Sequence, residues 1–301
     1  CFNARPWVGD CVAAILEGAE EELRVIVVDD GATDGSGEAV AERFSGDRRV
    51  TVHRKENAGC ASARNRGRML SDATHIAFVD ADDLPGRGMF AELLDLARYT
   101  GAEVVQGTFE TLWEEPGGGL RREPSYEATD WAFANLAWTA FGRGEMAPAP
   151  SEILLAGQPT IWRRVYRRDF LDSRNIWFPE HIRAFDDQIF QHLTLHHARS
   201  VPMARHLAYG YRQHPGQDIR QGDERAFYAL EMFRLLARRA LSEGWNGMSP
   251  LMRSFVNTVN WNWANLRADL QPDFAAAAAE LWAVLEGALG QAAFAGVQAG
   301  E

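Results

Sequence analysis

The stretch His75-Ile76-Ala77-Phe78-Val79-Asp80-Ala81-Asp82-Asp83-Leu84-Pro85 sets the fold that we expect for the chain around it. Its apolar centre, residues 77–79, has the length and the lack of alternation of a strand buried on both faces. Three carboxylates follow where such a strand would end, and ligands of open parallel sheets bind at the carboxyl ends of strands. Asp80 and Asp82 are two positions apart, so both can lie on one side of an extended segment. Oxygen ligands in this arrangement suit Mg2+ or Mn2+.

An acidic loop of this kind also has a purely structural explanation. Aspartates are common in turns and at helix N-caps, and Leu84-Pro85 is typical of the entry to a helix. A second acidic strand end favours the functional interpretation, because the apolar residues 24–28 are followed by Asp29-Asp30-Gly31.

Composition narrows the class of protein. The 301 residues allow one large α/β domain and a smaller appendage, and 46% hydrophobic with 24% charged residues is ordinary for a folded protein. The net charge of −11 and the isoelectric point near 5.3 argue against nucleic acid as a partner and against electrostatic attachment to anionic lipid.

Cysteines and hydropathy indicate a cytoplasmic protein. Cys1, Cys11 and Cys60 form no Cys-x-x-Cys motif and leave one cysteine over, which is typical of reduced thiols, two of them packed. No apolar run approaches the length needed to span a bilayer. A peripheral membrane role stays open.

Strand-like segments recur about every two dozen residues over the first third of the chain, with a helical pattern between them. They lie at residues 24–28, 50–53, 75–79 and 103–106. This rhythm predicts a Rossmann-like, mostly parallel, doubly wound sheet. The first helical pattern, which begins at Val8, has no strand ahead of it. We therefore expect the native chain to begin upstream, with a first strand that this sequence lacks.

The pattern changes after residue 108. Trp113 precedes a Pro- and Gly-rich break at residues 116–119, and Trp131 and Trp138 lie between it and a Pro-containing break at residues 147–150. The three tryptophans could stack on a sugar, although core packing is favoured. After Asp223 the spacing of apolar residues predicts helices to the end of the chain.

Charge determines what can bind beside the acidic strand ends. Two unit charges 4 Å apart interact by about 4 kcal/mol at an effective dielectric of 20, so a diphosphate next to Asp29 and Asp30 would be repelled without a metal. A carboxylate there is better placed to accept a hydrogen bond from a base or ribose. A nucleotide diphosphate near Asp80 and Asp82 needs a divalent cation in between. The side chains expected to share in its binding are those of Arg64, Arg212 and His214.

Several segments together resemble, in order and spacing, the family 2 glycosyltransferases. The segments of the first third are Cys1-Phe2-Asn3, Val27-Val28-Asp29-Asp30-Gly31-Ala32-Thr33-Asp34-Gly35-Ser36, Asn57-Ala58-Gly59, Ala63-Arg64-Asn65-Arg66-Gly67 and Phe78-Val79-Asp80-Ala81-Asp82-Asp83. Those of the second part are Trp162-Arg163-Arg164-Val165-Tyr166-Arg167-Arg168-Asp169-Phe170-Leu171, Phe185-Asp186-Asp187-Gln188-Ile189-Phe190 and Tyr209-Gly210-Tyr211-Arg212.

The resemblance implies an α/β protein of GT-A fold with a helical C-terminal region. Residues 1–107 would be the half of the GT-A domain that binds the nucleotide sugar, residues 108–222 the half that binds the acceptor, and residues 223–301 the helical region. The implied partners are a nucleotide-sugar donor, with UDP favoured, and a glycan or small-molecule hydroxyl acceptor. A lipid-linked acceptor would bring the protein to the inner face of a membrane. No nucleic-acid partner is expected.

The resemblance also assigns the donor site. Phe2 takes the place where the family usually has a tyrosine beside the base, and Asp30 would contact the uracil ring. Asn57, Arg64 and Asp80 would line the nucleotide. Asp82, in the last position of the family's Asp-x-Asp motif, would hold Mn2+ or Mg2+, and His214 is a candidate second ligand of the metal or the diphosphate.

A catalytic aspartate is implied at Asp187. The family places its base in a Glu-Asp motif, which reads Asp186-Asp187 here. Asp187 would remove the proton from the acceptor hydroxyl as it attacks the anomeric carbon from the face opposite the leaving group. The neighbouring Asp186 should raise the pKa of the pair. Where relatives often carry a basic residue and then Gly-Ser, this chain has His214-Pro215-Gly216-Gln217.

Other functions have weaker support. His192 and His196 are four apart, as in a zinc-binding helix, but no glutamate occupies the metalloprotease position between them. The acidic stretch matches no complete phosphatase motif, and the chain does not show the phosphate loop of a nucleotidyltransferase. The alternative from another class is a non-catalytic subunit that binds a sugar nucleotide or takes part in assembly.

Overall fold

A computed structural model describes residues 1–19, 22–115, 117–198, 200–214, 217, 222–245 and 249–298 of the chain; of Ser249 and residues 288–298 it describes the backbone alone. The strands are β1 Val25–Asp29, β2 Val50–Arg54, β3 His75–Ile76, β4 Leu84–Pro85, β5 Val104–Glu114, β6 Leu120–Pro124, β7 Thr139–Phe141, β8 Gly144–Ala149, β9 Arg164–Arg167 and β10 Val201–Gln213.

Helices alternate with the strands, and the described elements after β10 are all helices. They are α1 Val8–Leu16, α2 Ser36–Arg43, α3 Cys60–Leu70, α4 Met89–Thr100, α5 Trp131–Ala134, α6 Ser151–Leu155, α7 Arg168–Ser173, α8 Asp186–His197, α9 Ala226–Glu243, α10 Ser249–Asn265 and α11 Gln271–Gln298. The amphipathic pattern of α1 is typical: Val8, Cys11, Val12 and Leu16 recur every three to four residues and are all buried.

The strands form two sheets. β1 and β2 pair in parallel, from Val25 opposite Val50 to Asp29 opposite Arg54. The larger sheet has the order β3-β9-β5-β10-β8-β7, with β4 on β10 and β6 on β5. The predicted α/β class is confirmed. Parallel pairing is found for β1–β2 and β5–β10, whereas the other described pairings are antiparallel; two of these, β5–β6 and β7–β8, join strands that are consecutive in the chain.

Residues 77–79 do not form the strand that the sequence predicts. β3 ends at Ile76. Phe78 is buried as expected, whereas Ala77 and Val79 are only half-buried. The backbone that follows bonds to side chains instead of a ladder: the Asp80 N–H donates to the Tyr209 hydroxyl at 3.3 Å, and the Asp80 carbonyl accepts from the Cys11 thiol at 3.4 Å. Side-chain partners thus satisfy polar groups that a neighbouring strand would otherwise take up.

Two hydrophobic clusters hold these layers together. The larger one joins the eight-stranded sheet to the helices, and α9 contributes Leu230, Phe233 and Leu236 to it, all almost completely buried. The smaller one packs α1 against β1. Among the described helices, none combines the length and apolar character needed to cross a bilayer.

Two further expectations have mixed outcomes. Trp138 packs against the core and Trp113 is half-buried, but the prediction of core packing is wrong for Trp131, which is 78% exposed. Trp131 opens the single turn of α5, in which Phe133 is the buried residue. The cysteines are free thiols as predicted, with Cys11 buried and Cys60 exposed.

Candidate active site

Arg64 joins two acidic motifs that are far apart in the sequence. It projects from α3, and its guanidinium group lies 2.7 Å from carboxylate oxygens of Asp80, Asp186 and Asp187. Asp80 follows the central apolar stretch, whereas the other two open α8. The guanidinium group of Arg64 therefore links Asp80 to Asp186 and Asp187, the motif predicted to provide the catalytic base.

The start of α8 is built in an unusual way. Phe185, which precedes the helix, has a φ of 62°, a left-handed conformation that is rare for an aromatic residue. Such backbone strain costs on the order of 1–3 kcal/mol and persists where the surrounding structure enforces it, often at functional sites. Here it turns the chain so that Asp186 and Asp187 both occupy the first helical turn and reach Arg64.

Burial and charge act in opposite directions on Asp187. Burial raises the pKa of its carboxyl group, the Arg64 guanidinium lowers it, and the negative charges of Asp186 and Asp80 raise it again, so that the pKa is about 8. A carboxyl group with a pKa close to neutral pH can exchange a proton with a substrate. Arg64 is kept charged by the same three carboxylates, which raise its pKa despite the burial of its side chain.

Asp82 and His214 form the second part of the site. The His214 Nε2 lies 3.0 Å from the Asp82 Oδ2, and the imidazole stacks on Trp7 with 4.2 Å between ring centroids. Burial and the adjacent charge of Asp80 raise the pKa of the Asp82 carboxyl group. A cation bound here would relieve that concentration of negative charge.

The donor set at this position fits a divalent metal that keeps water or substrate oxygens as its other ligands. Among the described residues no three His, Cys, Asp or Glu side chains come together as a complete protein cage. Mg2+ is commonly bound through one or two carboxylates and substrate phosphates rather than by an all-protein cage, and an imidazole is acceptable to Mn2+ and related metals. Asp82 and His214 match that incomplete set.

Arg212 is fixed beside the acidic loop. Its side chain donates to the Asp82 carbonyl at 2.7 Å and to Glu114 at 2.9 Å, while its backbone N–H donates to Asp83 at 2.8 Å. Asp83 is almost completely buried, and burial together with the charge of Asp82 raises its pKa well above its ordinary value. The carboxylate of Asp83 thus binds β10 to the acidic loop. Asp80 and Asp82 are the carboxylates of that loop that could contact a ligand.

The residue predicted to contact the nucleobase of the donor, Asp30, lies at the end of β1. Asp30 is buried, and its carboxylate accepts from the Lys55 ammonium at 2.6 Å and from the backbone N–H groups of Ala58 and Gly59 at 3.1 and 2.8 Å. Three donors leave one of its roughly four acceptor positions for a ligand. The side chains of Phe2 and Asn57 are exposed.

Sequence reasoning missed three side chains of the site. Trp7 stacks on His214, Lys55 neutralises Asp30, and the Tyr209 hydroxyl accepts from the backbone of Asp80. Tyr209 belongs to one of the segments that carry the family resemblance, so a signal was present. Trp7 and Lys55 carry no local signal, because their contacts depend on how distant segments meet.

Two other sequence features lie away from this site or partly outside the described residues. His192 is fully buried and packs edge-on against Phe233, and burial lowers its pKa to about 3, so it serves the core. His196 stacks on Trp245 at 3.8 Å. Of the stretch His214-Pro215-Gly216-Gln217, Pro215 and Gly216 lie outside the described residues.

Comparisons with known sequences agree with this geometry. Residues 1–136 match the glycosyl transferase family 2. The chain is 29% identical to the uncharacterized glycosyltransferase EpsJ of Bacillus subtilis (strain 168), over 71% of this chain and 59% of that protein. It is 32% identical to the glycosyltransferase GlyG of Streptococcus pneumoniae serotype 4, over 46% of this chain and 51% of that protein. The chain thus spans a little over half the length of each relative.

Two solved structures share the fold. One is S. aureus TarS 1-349 in complex with UDP-GlcNAc, with a TM-score of 0.58, 16% identity and coverage of 96% of this chain and 88% of that chain. The other is the mannosyltransferase PcManGT from Pyrobaculum calidifontis in complex with GDP-Man and Mn2+, with a TM-score of 0.60, 17% identity and coverage of 100% and 86%. The predicted GT-A fold is therefore confirmed; at these identities the likeness extends to the fold alone.

Proposed function

Because residues 1–136 match the glycosyl transferase family 2 and the chain has the GT-A fold, we propose that it is a metal-dependent, inverting glycosyltransferase that moves a sugar from UDP to a hydroxyl group. The proposed acceptor belongs to surface polysaccharide or glycoconjugate biosynthesis, which is supported by 34% identity over 83 residues to the putative teichuronic acid biosynthesis glycosyltransferase TuaG of Bacillus subtilis. The nucleotide lies along the ends of β1 and the acidic loop, and the acceptor approaches from the side of α8.

The observation that carries the proposal is the contact of Arg64 with both acidic motifs. Its Nη2 holds Asp80 at 2.7 Å and its Nη1 holds Asp187 at 2.7 Å. A transferase needs its donor and its general base on either side of one reacting carbon. A guanidinium group between the two acids keeps them a few ångströms apart and supplies positive charge where a diphosphate leaves.

Asp82 and His214 are the residues that would hold the metal. When bound, a divalent cation supplies positive charge that stabilises the departing nucleoside diphosphate. Asp30 accepts a hydrogen bond from the base, and Phe2 and Asn57 lie beside the nucleotide. Arg212, fixed by Glu114, adds a second protein cation next to the acidic loop.

Asp187 acts as the general base. Its carboxylate accepts the proton of the acceptor hydroxyl while the hydroxyl oxygen bonds to the anomeric carbon. The bond from that carbon to the diphosphate oxygen breaks, and the electron pair leaves with UDP. Attack from the face opposite UDP inverts the anomeric configuration. Asp186 acts through Asp187: it is buried beside it and shares the Nη1 of Arg64.

A screen of nucleotide sugars with Mn2+ tests the proposal. A donor that binds should raise the melting temperature in proportion to its affinity. With that donor and a hydroxyl acceptor we expect UDP release and a product of inverted anomeric configuration by NMR. Binding of donors without release of UDP under any condition would favour the non-catalytic alternative, and a product of retained configuration would contradict the mechanism.

A further inference from the structure

Arg164 places a positive charge in the interior of the protein. It is the first residue of β9, and both its side chain and that of Gln106, the residue opposite it in β5, are fully buried. A third side chain beside them, that of Gln191, comes from α8 and is equally buried. A charge that is removed from water is costly unless an opposite charge and hydrogen bonds compensate it. The groups around Arg164 therefore determine whether its charge is balanced.

Ion pairs do not balance this charge. In the part of the chain that the structure describes, the hydrogen bonds of the Arg164 side chain go to amide oxygens and none of its contacts is an ion pair. The neighbouring Arg163 takes the buried carboxylate of Glu127, with its Nη1 2.6 Å from the Oε2. Tyr166 is neutral at pH 7, because burial raises the pKa of its hydroxyl group to about 12. Two guanidinium groups and one carboxylate thus leave this buried cluster with a net charge of +1.

Three side chains of the cluster have N–H groups without an acceptor. The Arg164 Nε donates to the Gln106 Oε1 at 2.8 Å, and its Nη1 donates to the Gln191 Oε1 at 2.9 Å. The Gln191 oxygen also accepts from the Thr160 N–H at 3.1 Å. Both amides therefore have their oxygen toward Arg164, because an NH2 group cannot accept from these donors. Among the described residues, the Arg164 Nη2, the Gln106 Nε2 and the Gln191 Nε2 have no hydrogen-bond partner.

The chemistry of these free groups favours an anion over water. Each amide nitrogen shares a carbon atom with the oxygen that contacts Arg164, so both NH2 groups lie beside the guanidinium group. A buried water makes about three hydrogen bonds and has to donate in some of them. Within the described part of this cluster, the one unpartnered acceptor is the Glu127 Oε1, on the carboxylate that Arg163 binds. An anion accepts from N–H groups without donating, and a monovalent anion also balances the charge of +1.

We propose that Arg164, Gln106 and Gln191 form a buried binding site for a monovalent anion of halide size, with chloride as its ligand. The anion accepts from the Arg164 Nη2 and from the two amide NH2 groups. It is small because all three side chains are fully buried. The site joins β9, β5 and α8, which contribute one side chain each. Asp187 and Gln191 are four positions apart on α8 and lie on one face of that helix, so the anion helps to hold the helix that carries the predicted base.

Melting curves in two salts test the site. Sodium chloride should raise the melting temperature by roughly 3–6 °C above that in sodium gluconate of the same ionic strength. Gluconate is too large for a buried site, and both salts screen surface charges equally. Arg164→Met should remove the difference between the two salts. The matched control is Arg167→Met in the same strand, which breaks a partly exposed pair with Asp169 and should keep the difference.

A carboxylate supplied by the chain itself should replace the anion. Gln106→Glu keeps the size of the side chain and places a negative charge beside Arg164, so this variant should melt at the same temperature in both salts, and it tests the site even if Arg164→Met does not fold.

A crystal grown in sodium bromide gives a direct test. Anomalous scattering from bromide should appear within hydrogen-bond distance of the Arg164 Nη2. Equal melting temperatures of the original chain in both salts, a difference that persists in Arg164→Met or Gln106→Glu, or a water molecule in place of bromide would overturn the proposal. None of these readouts depends on glycosyl transfer, so their outcome is separate from that of the proposed function.

Discussion

Arg64 and Asp187 form an ion pair of 2.7 Å, although 123 positions separate them in the sequence. The same guanidinium group contacts Asp80 and Asp186. The charge of Asp187, the predicted base, therefore depends on residues from both parts of the chain. The effect of Arg64 and Asp186 on the pKa of Asp187 can be tested with substitutions that shift this pKa in opposite directions.

The first prediction concerns pH. A base must be deprotonated, and the pKa of Asp187 is about 8, so kcat/KM should fall about tenfold per pH unit as the pH drops below that value and level off above it. Asp187→Asn should abolish transfer and leave UDP affinity within about twofold of the original. The control is Asp10→Asn on the surface, which should leave the profile unchanged. Near-normal turnover of Asp187→Asn would remove the base assignment.

Asp186→Asn and Arg64→Gln should shift that profile in opposite senses. Removal of the like charge at Asp186 lowers the pKa of Asp187, so the inflection moves to lower pH. Removal of the cation at Arg64 raises the pKa, so the inflection moves to higher pH, and turnover at pH 7 should fall at least about tenfold. Shifts of both variants in the same direction would show that Arg64 and Asp186 act on the rate through something other than the charge of Asp187.

The metal prediction rests on Asp82 and His214. We expect UDP to bind at least about tenfold more weakly in EDTA than with Mn2+, as measured by calorimetry, because the diphosphate would then meet uncompensated carboxylates. Asp82→Ala should bind UDP with an affinity that no longer responds to Mn2+, and His214→Ala should respond less than the original chain. UDP affinity that is unchanged by EDTA in the original chain would contradict a metal at this position.

Local patterns predicted much of the fold. The alternation of apolar strands and amphipathic helices located β1, β2, α3 and α4, and the spacing after Asp223 located α9 to α11. These elements follow from periodicity within a window of ten to twenty residues, roughly the range over which such patterns are informative. The acidic end of β1 could be predicted for the same reason, since Asp29 and Asp30 come directly after an apolar run.

What the sequence did not predict depends on contacts between distant segments. Residues 77–79 are as apolar as a central strand, but strand pairing requires a neighbour, and no described strand pairs with them. The stacking of Trp7 on His214 and the contacts of Arg64 with α8 join residues more than 100 positions apart. No periodicity encodes such contacts. The sequence therefore predicted Arg64 and His214 as site residues, but it did not predict which side chains they contact.

A buried ion pair in the second part of the chain gives a prediction about stability. Arg163 Nη1 lies 2.6 Å from Glu127 Oε2, and both side chains are almost completely buried. Arg163 also donates to Thr160 at 2.7 Å, which connects the pair to the segment ahead of β9. Removing one partner of a buried pair leaves the other charge without compensation, which typically costs about 3–5 kcal/mol.

Glu127→Gln should therefore lower the urea midpoint of unfolding by an amount that corresponds to that range, with an unchanged m-value. The matched control is Glu123→Gln, which breaks an exposed pair with Arg121 and should barely move the midpoint, because solvent screens that pair. The double variant Glu127→Gln with Arg163→Met should recover much of the loss, since the uncompensated charge is then absent. Equal midpoints for Glu127→Gln and Glu123→Gln would mean that water reaches Arg163 and that the pair does not hold this part of the sheet together.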